Sequence, residues 1–301
     1  MKLAVLMSTY NGERFLHQQI ESILKQVCSF QVDLWVRDDG STDGTQMILQ
    51  SYADDGELQW YTGPNLGPAR SFLDLVQHCE EYDFYAFADQ DDYWYPEKLE
   101  TGVKQIKEHI GPALYFSNGR MVDMELNPLG RNIYRTAPPV DFYSVTCGAG
   151  ITGCTMVFNR ELAKLIQEKP LPKELVMHDY HMGIVCTLHD GVVIYDDDAW
   201  MDYRQHGNNV VGCTWRKRDA LKNRIRQLTE KNKPTLDKAA EGICEIYRQV
   251  PDMQKLQWLK TVSRYRTSFC SAMKFALDPK PKYSSKNMAF TLRLAFLLRN
   301  R

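Results

Sequence analysis

The stretch Phe84-Tyr85-Ala86-Phe87-Ala88-Asp89-Gln90-Asp91-Asp92 places three carboxylates within four positions, directly after five apolar residues. A short apolar run closed by polar residues reads as a strand buried on both faces. In an open α/β sheet, ligands lie just beyond the carboxyl ends of such strands. Two acids spaced D-x-D at that point bring both side chains near one hard divalent cation, Mg²⁺ or Mn²⁺, which prefers oxygen ligands and shares them with substrate phosphates. The bland alternative is a solvated turn, or the cap of a helix beginning at Pro96.

Upstream, the same grammar recurs. Leu3–Met7 reads as a strand ending in Ser8-Thr9-Tyr10-Asn11-Gly12, and Phe15, Leu16, Gln19, Ile20, Ile23 and Leu24 follow at helical spacing. Val32–Val36 is a second strand, broken by Asp38-Asp39-Gly40-Ser41-Thr42-Asp43-Gly44. A helix over Thr45–Tyr52, a strand over Leu58–Tyr61 and a helix over Pro68–Cys79 lead back to residue 84. Strands alternating with helices predict right-handed βαβ units: an α/β fold with a mixed, mainly parallel Rossmann-like sheet flanked by helices. The clusters at 8–12, 38–44 and 89–92 all fall at strand ends and are expected to line one site. Further on, strands are expected at Ala113–Ser117, Cys154–Phe158 and Val192–Tyr195, a hairpin over Met121–Arg131 and a helix over His178–Leu188. Beyond Trp215 the pattern is helical, with breaks near Pro234, Pro251 and Pro279.

The 301 residues are 44% hydrophobic and 25% charged, a globular composition. No stretch reaches the ~18–20 uninterrupted apolar residues of a membrane-spanning helix, and the N-terminus does not read as a secretory signal. Eight cysteines without a C-x-x-C pair read as reduced thiols in a cytosolic protein, against a disulfide scaffold or zinc ribbon. The net charge of −1 hides a split: residues 215–301 hold 21 Lys and Arg against 7 acids, and residues 1–214 hold 16 against 31. The acidic part suits a metal or polar ligand, and the basic part an anionic lipid, nucleic acid or phosphate.

Other motifs have competing readings. Gly148-Ala149-Gly150-Ile151-Thr152-Gly153 spells G-x-G-x-x-G, but it lies mid-chain before a strand, whereas a dinucleotide fingerprint follows the first strand and opens a helix. It reads instead as a loop that a substrate can approach. No GxxxxGK[ST] loop exists, which speaks against a kinase or ATPase. His178-Asp179 is either a favourable acid in a first helical turn or a catalytic carboxylate. His178 and His181 are spaced for zinc but have no third soft ligand nearby. His206, in Arg204-Gln205-His206-Gly207-Asn208-Asn209, is either structural or a ligand.

Taken in order, Ser8-Thr9-Tyr10-Asn11-Gly12, Asp38-Asp39-Gly40-Ser41-Thr42-Asp43, Asp89-Gln90-Asp91-Asp92, Thr152-Gly153-Cys154, His178-Asp179 and Tyr203-Arg204-Gln205-His206-Gly207-Asn208-Asn209 resemble the family 2 glycosyltransferases of the GT-A fold. Ala88-Asp89-Gln90-Asp91-Asp92-Tyr93-Trp94 and the final Y-R-Q-H-G-N-N look like the branch that contains bacterial rhamnosyltransferases of cell-wall and surface polysaccharides. The resemblance implies a catalytic domain over 1–214, with a nucleotide-binding half to about 112 and an acceptor-binding half from about 113, followed by a basic helical region over 215–301. It implies that Thr9, Tyr10 and Asn11 contact the nucleobase, that Asp38 bonds its N–H, and that Asp39, Asp89 and Gln90 sit beside ribose or sugar. Asp91 and His206 would hold Mg²⁺ or Mn²⁺, Asp179 would be the base, and Gly153, His178 and Tyr180 would border the acceptor.

The implied reaction moves a sugar from a nucleotide diphospho-sugar, dTDP-β-L-rhamnose favoured, to a polyprenol-diphosphate-linked glycan. An aspartate near the ordinary value of about 3.9 is ionised at neutral pH, as a base requires. A single base with no protein nucleophile means one displacement and inversion. Leu256, Leu259, Val262, Phe269, Met273 and Ala276 form an apolar stripe, and the 289–301 end is amphipathic. Both are expected either to pack on the catalytic domain or to hold the enzyme peripherally on the anionic inner face of the cytoplasmic membrane. No nucleic-acid motif accompanies the basic residues. The alternatives are a transferase using a UDP-sugar, a nucleotidyltransferase, and a noncatalytic nucleotide-sugar-binding module.

Overall fold

The computed structural model describes residues 1–148, 150–206 and 234–298. Its first half follows the expected alternation: β1 (Lys2–Thr9), α1 (Leu16–Leu24), β2 (Gln31–Asp38), α2 (Thr45–Asp54), β3 (Gln59–Thr62), α3 (Pro68–His78) and β4 (Phe84–Ala88). Next come β5 (Tyr93–Trp94), α4 (Lys98–Ile106), the β6–β7 hairpin (Ala113–Val122 and Pro128–Asn132) and α5 (Phe142–Thr146). A 3₁₀ turn at Gly153–Thr155, β8 (Met156–Asn159), α6 (Arg160–Gln167), α7 (His178–Leu188) and β9 (Val192–Arg204) complete the sheet region. After the undescribed 207–233 come α8 (Leu236–Ile246), α9 (Met253–Val262), α10 (Phe269–Leu277) and α11 (Lys286–Leu297).

Among the described residues the strands form one sheet, ordered β3-β2-β1-β4-β8-β6-β9-β5, with β7 on β6. The β3-β2-β1-β4 block is parallel. Strand β8 runs antiparallel to β4 and β6, while β6 and β9 are parallel to each other. Both faces of the central strands are covered, and the alternation of side chains divides them cleanly. Leu3, Val5, Met7, Phe84, Ala86 and Ala88 join one core with α1, α2 and α4. Ala4, Leu6, Tyr85 and Phe87 join the other with α3, α6 and α7.

Strands β6 and β9 are longer than the expected Ala113–Ser117 and Val192–Tyr195. They pair from Ala113↔Val192 to Val122↔Arg204 across register shifts near Ser117 and Asn118. The run Asp196-Asp197-Asp198 hides this, because three acids read as a loop. Asp196 is accommodated by donors from Tyr115 Oη at 2.7 Å and Trp200 Nε1 at 2.9 Å. This extension delivers Arg204 and His206 to the sheet end where the acidic loop stands.

The apolar stripe in the C-terminal third divides in two. Leu256 is buried, and Leu259, Val262 and Ala276 lie, together with Leu236, Ala240, Tyr265, Phe275 and Phe296, in the same core as α3 and β4. Phe269 and Met273 are exposed. The C-terminal helices therefore share their core with the sheet, and the expected boundary at 214 falls among undescribed residues.

Candidate active site

Register sets the site. Thr9 pairs with Asp38 and Met7 with Ala88, so the 8–12, 38–44 and 89–92 segments emerge side by side. Gln90 ties two of them together: its Oε1 accepts from Thr9 Oγ1 at 2.5 Å and Tyr10 N at 2.9 Å, and its Nε2 donates to Tyr10 O at 3.2 Å. Gly12 leaves the room this requires, since a Cβ there would lie 2.3 Å from Gln90 Oε1. Asn11 adopts φ +48, a conformation asparagine tolerates. It bonds the second loop through its own N–H to Ser41 Oγ (2.8 Å) and through its Oδ1, which accepts from Thr42 N (2.9 Å). Tyr10 is left 47% exposed at the rim, a ring available for stacking.

Asp38 and Asp39 are buried and engaged with the protein. Asp38 Oδ2 accepts from Gln46 Nε2 at 2.7 Å and Thr62 Oγ1 at 2.9 Å, and both oxygens are 3.2 Å from Ser41 N. Asp39 pairs with Arg37 and accepts from Leu66 N (2.8 Å) and Gly67 N (2.9 Å) at the entry to α3. Arg37 also bonds Asp74 Oδ2 and Ser71 Oγ, each at 3.0 Å. These two acids thus build the loop wall, and any ligand contact from them uses lone pairs left over after those bonds.

The acidic loop meets the end of β9. His206 Nε2 lies 2.5 Å from Asp91 Oδ2, the two residues that the family resemblance implies as metal ligands. Arg204, buried between them, holds this geometry. Its N–H donates to Asp92 Oδ1 at 3.0 Å, its Nε to Asp91 O at 2.6 Å and its Nη2 to Gln18 Oε1 at 2.5 Å. Its guanidinium lies 4.6 Å from the Phe15 ring, which stacks on His206 at 5.3 Å. Arg204 stood in the quoted motif without a role, and the signal for one was its position two residues before His206.

Asp92 is fully buried, and its Oδ2 has no hydrogen-bond partner among the described residues. Donor atoms of Asp89, Asp92 and Cys154 lie within 4.8 Å of one another. Burial, with the neighbouring Asp91 charge, pushes the carboxyls of Asp89 and Asp92 up. Behind them, buried Lys98 sits 3.9 Å from the Trp94 ring centre, and burial lowers its ammonium to about 8. A loop of three acids with one orphaned buried oxygen and an imidazole at its edge fits a hard divalent cation.

Asp179 lies in the first turn of α7. Burial pushes its carboxyl up to about 6, with amide hydrogen bonds pulling the other way; Tyr180 N donates to Oδ1 at 2.6 Å. The ordinary value expected from sequence is thus corrected upward. Its charge is among those that raise the Asp89 carboxyl, and Gly153, which His178 packs against, is followed in the chain by Cys154, whose sulfur lies within 4.8 Å of donor atoms of Asp89 and Asp92. His178 is buried against Phe72 at 4.1 Å and Phe87 at 5.0 Å, and burial drops its imidazole to about 3. A Cβ on Gly153 would come 2.1 Å from His178 Nε2, which explains the glycine. Tyr180 is buried and its hydroxyl donates to Thr146 O at 2.9 Å. The structure therefore brings Gly153, His178 and Asp179 together, while Gly207, Asn208 and Asn209 lie outside the described residues.

Residues 4–164 match the family described as Glycosyl transferase family 2. The dTDP-rhamnosyl transferase RfbG of Shigella flexneri is 27% identical over 226 residues, covering 69% of this chain and 74% of that protein. Among solved structures, residues 1–349 of TarS from S. aureus in complex with UDP-GlcNAc match with a TM-score of 0.57 at 18% identity, covering 100% of this chain and 89% of that one. The mannosyltransferase PcManGT from Pyrobaculum calidifontis, in complex with GDP-Man and Mn²⁺, matches with a TM-score of 0.54 at 16% identity, covering 99% and 74%.

Proposed function

The chain belongs to glycosyl transferase family 2 and has the GT-A fold; from that premise we propose that it is an inverting, metal-dependent transferase. Its favoured donor is dTDP-β-L-rhamnose, and its acceptor a polyprenol-diphosphate-linked glycan of a bacterial cell-wall or surface polysaccharide. One observation carries the mechanism: Asp89, Asp91, His206 and Asp179, drawn from three distant parts of the sequence, converge at one end of the sheet. The similarity to RfbG supports the rhamnosyl donor over a UDP-sugar.

Tyr10 stacks on the base, with Thr9 and Asn11 beside it, and Asp38 and Asp39 hold the wall against which base and ribose rest. Asp89 and Gln90 border ribose and sugar. Asp91 and His206 would hold Mg²⁺ or Mn²⁺, which supplies charge neutralisation for the departing diphosphate. The acceptor hydroxyl oxygen forms a bond to the anomeric carbon from the face opposite the diphosphate, whose C–O bond breaks. Its proton passes to the Asp179 carboxylate. A positioned base contributes typically ~10²–10⁴ in rate. Gly153, His178 and Tyr180 shape the acceptor side, His178 as a neutral, buried ring.

The test is a thermal-shift panel of nucleoside diphosphates and nucleotide sugars with and without Mn²⁺ or Mg²⁺, because native-state binding raises the melting point with RT ln(1 + [L]/Kd). A metal-dependent shift with dTDP larger than with UDP is expected. A larger UDP response would move the donor to a UDP-sugar, and no response to any nucleotide would reject the transferase mechanism.

A further inference from the structure

Helices α10 and α11 each bury one face and expose the other. Ala272, Phe275 and Ala276 of α10 and Leu292 and Phe296 of α11 enter the core, with the Phe275 and Phe296 rings 4.7 Å apart. On the outward faces, Phe269, Met273 and Leu277 recur at i, i+4, i+8, and so do Phe290, Leu294 and Leu298. All six are exposed, Phe269 at 61% and Phe290 at 70%. Two neighbouring helices thus each turn an apolar row away from the core they share. Isolated exposed apolar residues are ordinary, but paired rows at helical spacing are not.

The surroundings of these rows select the partner. From Met253 to Leu298 the chain holds nine Lys and Arg and a single acid, Asp278. Lys274, Lys282 and Lys286 are exposed on or between the two helices. Apolar side chains with basic neighbours match an anionic bilayer surface, where the rings enter the headgroup–acyl boundary and the cations meet lipid phosphates. A second copy of the chain would bring cation against cation. No described helix is long and apolar enough to cross a membrane.

We propose that the outward faces of α10 and α11 form a two-helix docking surface for anionic lipid, seating the enzyme flat on a membrane. The surface is argued from its own residues, and it rests on the proposed function only for its use, which is to bring the site to a lipid-linked acceptor. It differs from an anchor made by the last helix alone, because α10 contributes half of it.

The experiment is co-sedimentation of the full chain with vesicles of phosphatidylcholine alone or mixed with phosphatidylglycerol, at low and high salt. Binding to the anionic vesicles that weakens with salt is expected. Phe269→Ser combined with Phe290→Ser should lower partitioning at least about tenfold. Lys274→Glu with Lys282→Glu, which leaves the core untouched, should do the same at low salt. Phe269→Ser alone should already reduce binding; no effect would overturn the role of α10. Absence of vesicle binding by the parent chain would overturn the proposal, as would a dimer that the Phe269→Ser/Phe290→Ser variant converts to monomer. The nucleotide- and Mn²⁺-dependent thermal shift, measured on the same samples, should be unchanged. If that shift is present without vesicle binding, the docking surface fails and the catalytic reading stands; if it is absent, the catalytic reading fails on its own.

Discussion

At the scale of single residues, Asp179 combines two pressures. The proposed role as base needs it ionised, while burial holds its carboxyl at about 6. Transfer should therefore fall as pH drops through about 6, a limb well above that of an exposed aspartate, measured as kcat/KM against pH. Stability should run the other way. The folded state binds the proton more tightly than the unfolded chain does, so this contribution is present below the unfolded value near 3.9 and lost as pH rises through about 6. Asp179→Asn should lower transfer by at least about 10² while sparing donor affinity, and it should flatten the stability change across that window. Retained transfer in the variant would remove Asp179 from the base role. Gly153 is a second single-atom case. Its missing Cβ is what lets His178 sit where it does, so Gly153→Ala should cost about 1–3 kcal/mol in unfolding free energy, read from denaturant midpoints.

At the scale of elements, the site depends on how β9 ends. Arg204 joins Asp91, Asp92 and Gln18 through three separate donors, and its stack on Phe15 continues to His206. Arg204→Met keeps apolar bulk and the backbone N–H bond to Asp92 but removes the guanidinium, loosening the hold of β9 on the Asp91 carbonyl and on Gln18. The Mn²⁺-dependent part of the nucleotide thermal shift should shrink strongly, with the metal-independent part retained. Equal loss of both would mean that Arg204 supports the fold generally. This element also shows what was legible beforehand. The βαβ half was readable because Leu3–Met7 and Phe84–Ala88 are apolar runs that stop abruptly at polar clusters. The length of β9 was not, since Asp196-Asp197-Asp198 mimics a loop and only its pairing with β6 and the donors of Tyr115 and Trp200 make a strand of it. Nor was the engagement of Asp38 and Asp39 with protein donors: their acidity was visible, but Gln46, Thr62 and the amides after Pro64 reach them only in three dimensions.

At the scale of the whole molecule, the charge division suggested two regions, and side chains of the basic helices enter the core on one face of the sheet. Ile243, Trp258, Leu259 and Tyr265 from α8, α9 and the turn after α9 lie in the same cluster as Phe72 of α3 and Phe158 of β8. Trp258 Nε1 donates to Thr146 Oγ1 at 2.8 Å, and Lys255 Nζ to Thr187 O at 2.6 Å, bonds between the tail and the middle of the chain. Tyr247 Oη adds a third, to Leu165 O at 3.1 Å. A region attached this way does not unfold by itself, because its removal exposes the apolar faces of α5, α6 and α7. The full chain should therefore melt in one transition, with calorimetric and van't Hoff enthalpies in agreement. A chain ending at residue 233 should lose that cooperativity or aggregate, while one ending at residue 284, which removes only α11, should fold with a lowered midpoint because Leu292 and Phe296 leave the core edge. Two resolved transitions in the full chain would show that the basic helices are an independent unit. A single transition would mean that the acidic site and the basic surface are rigidly joined, so that binding at the surface fixes the orientation of the site.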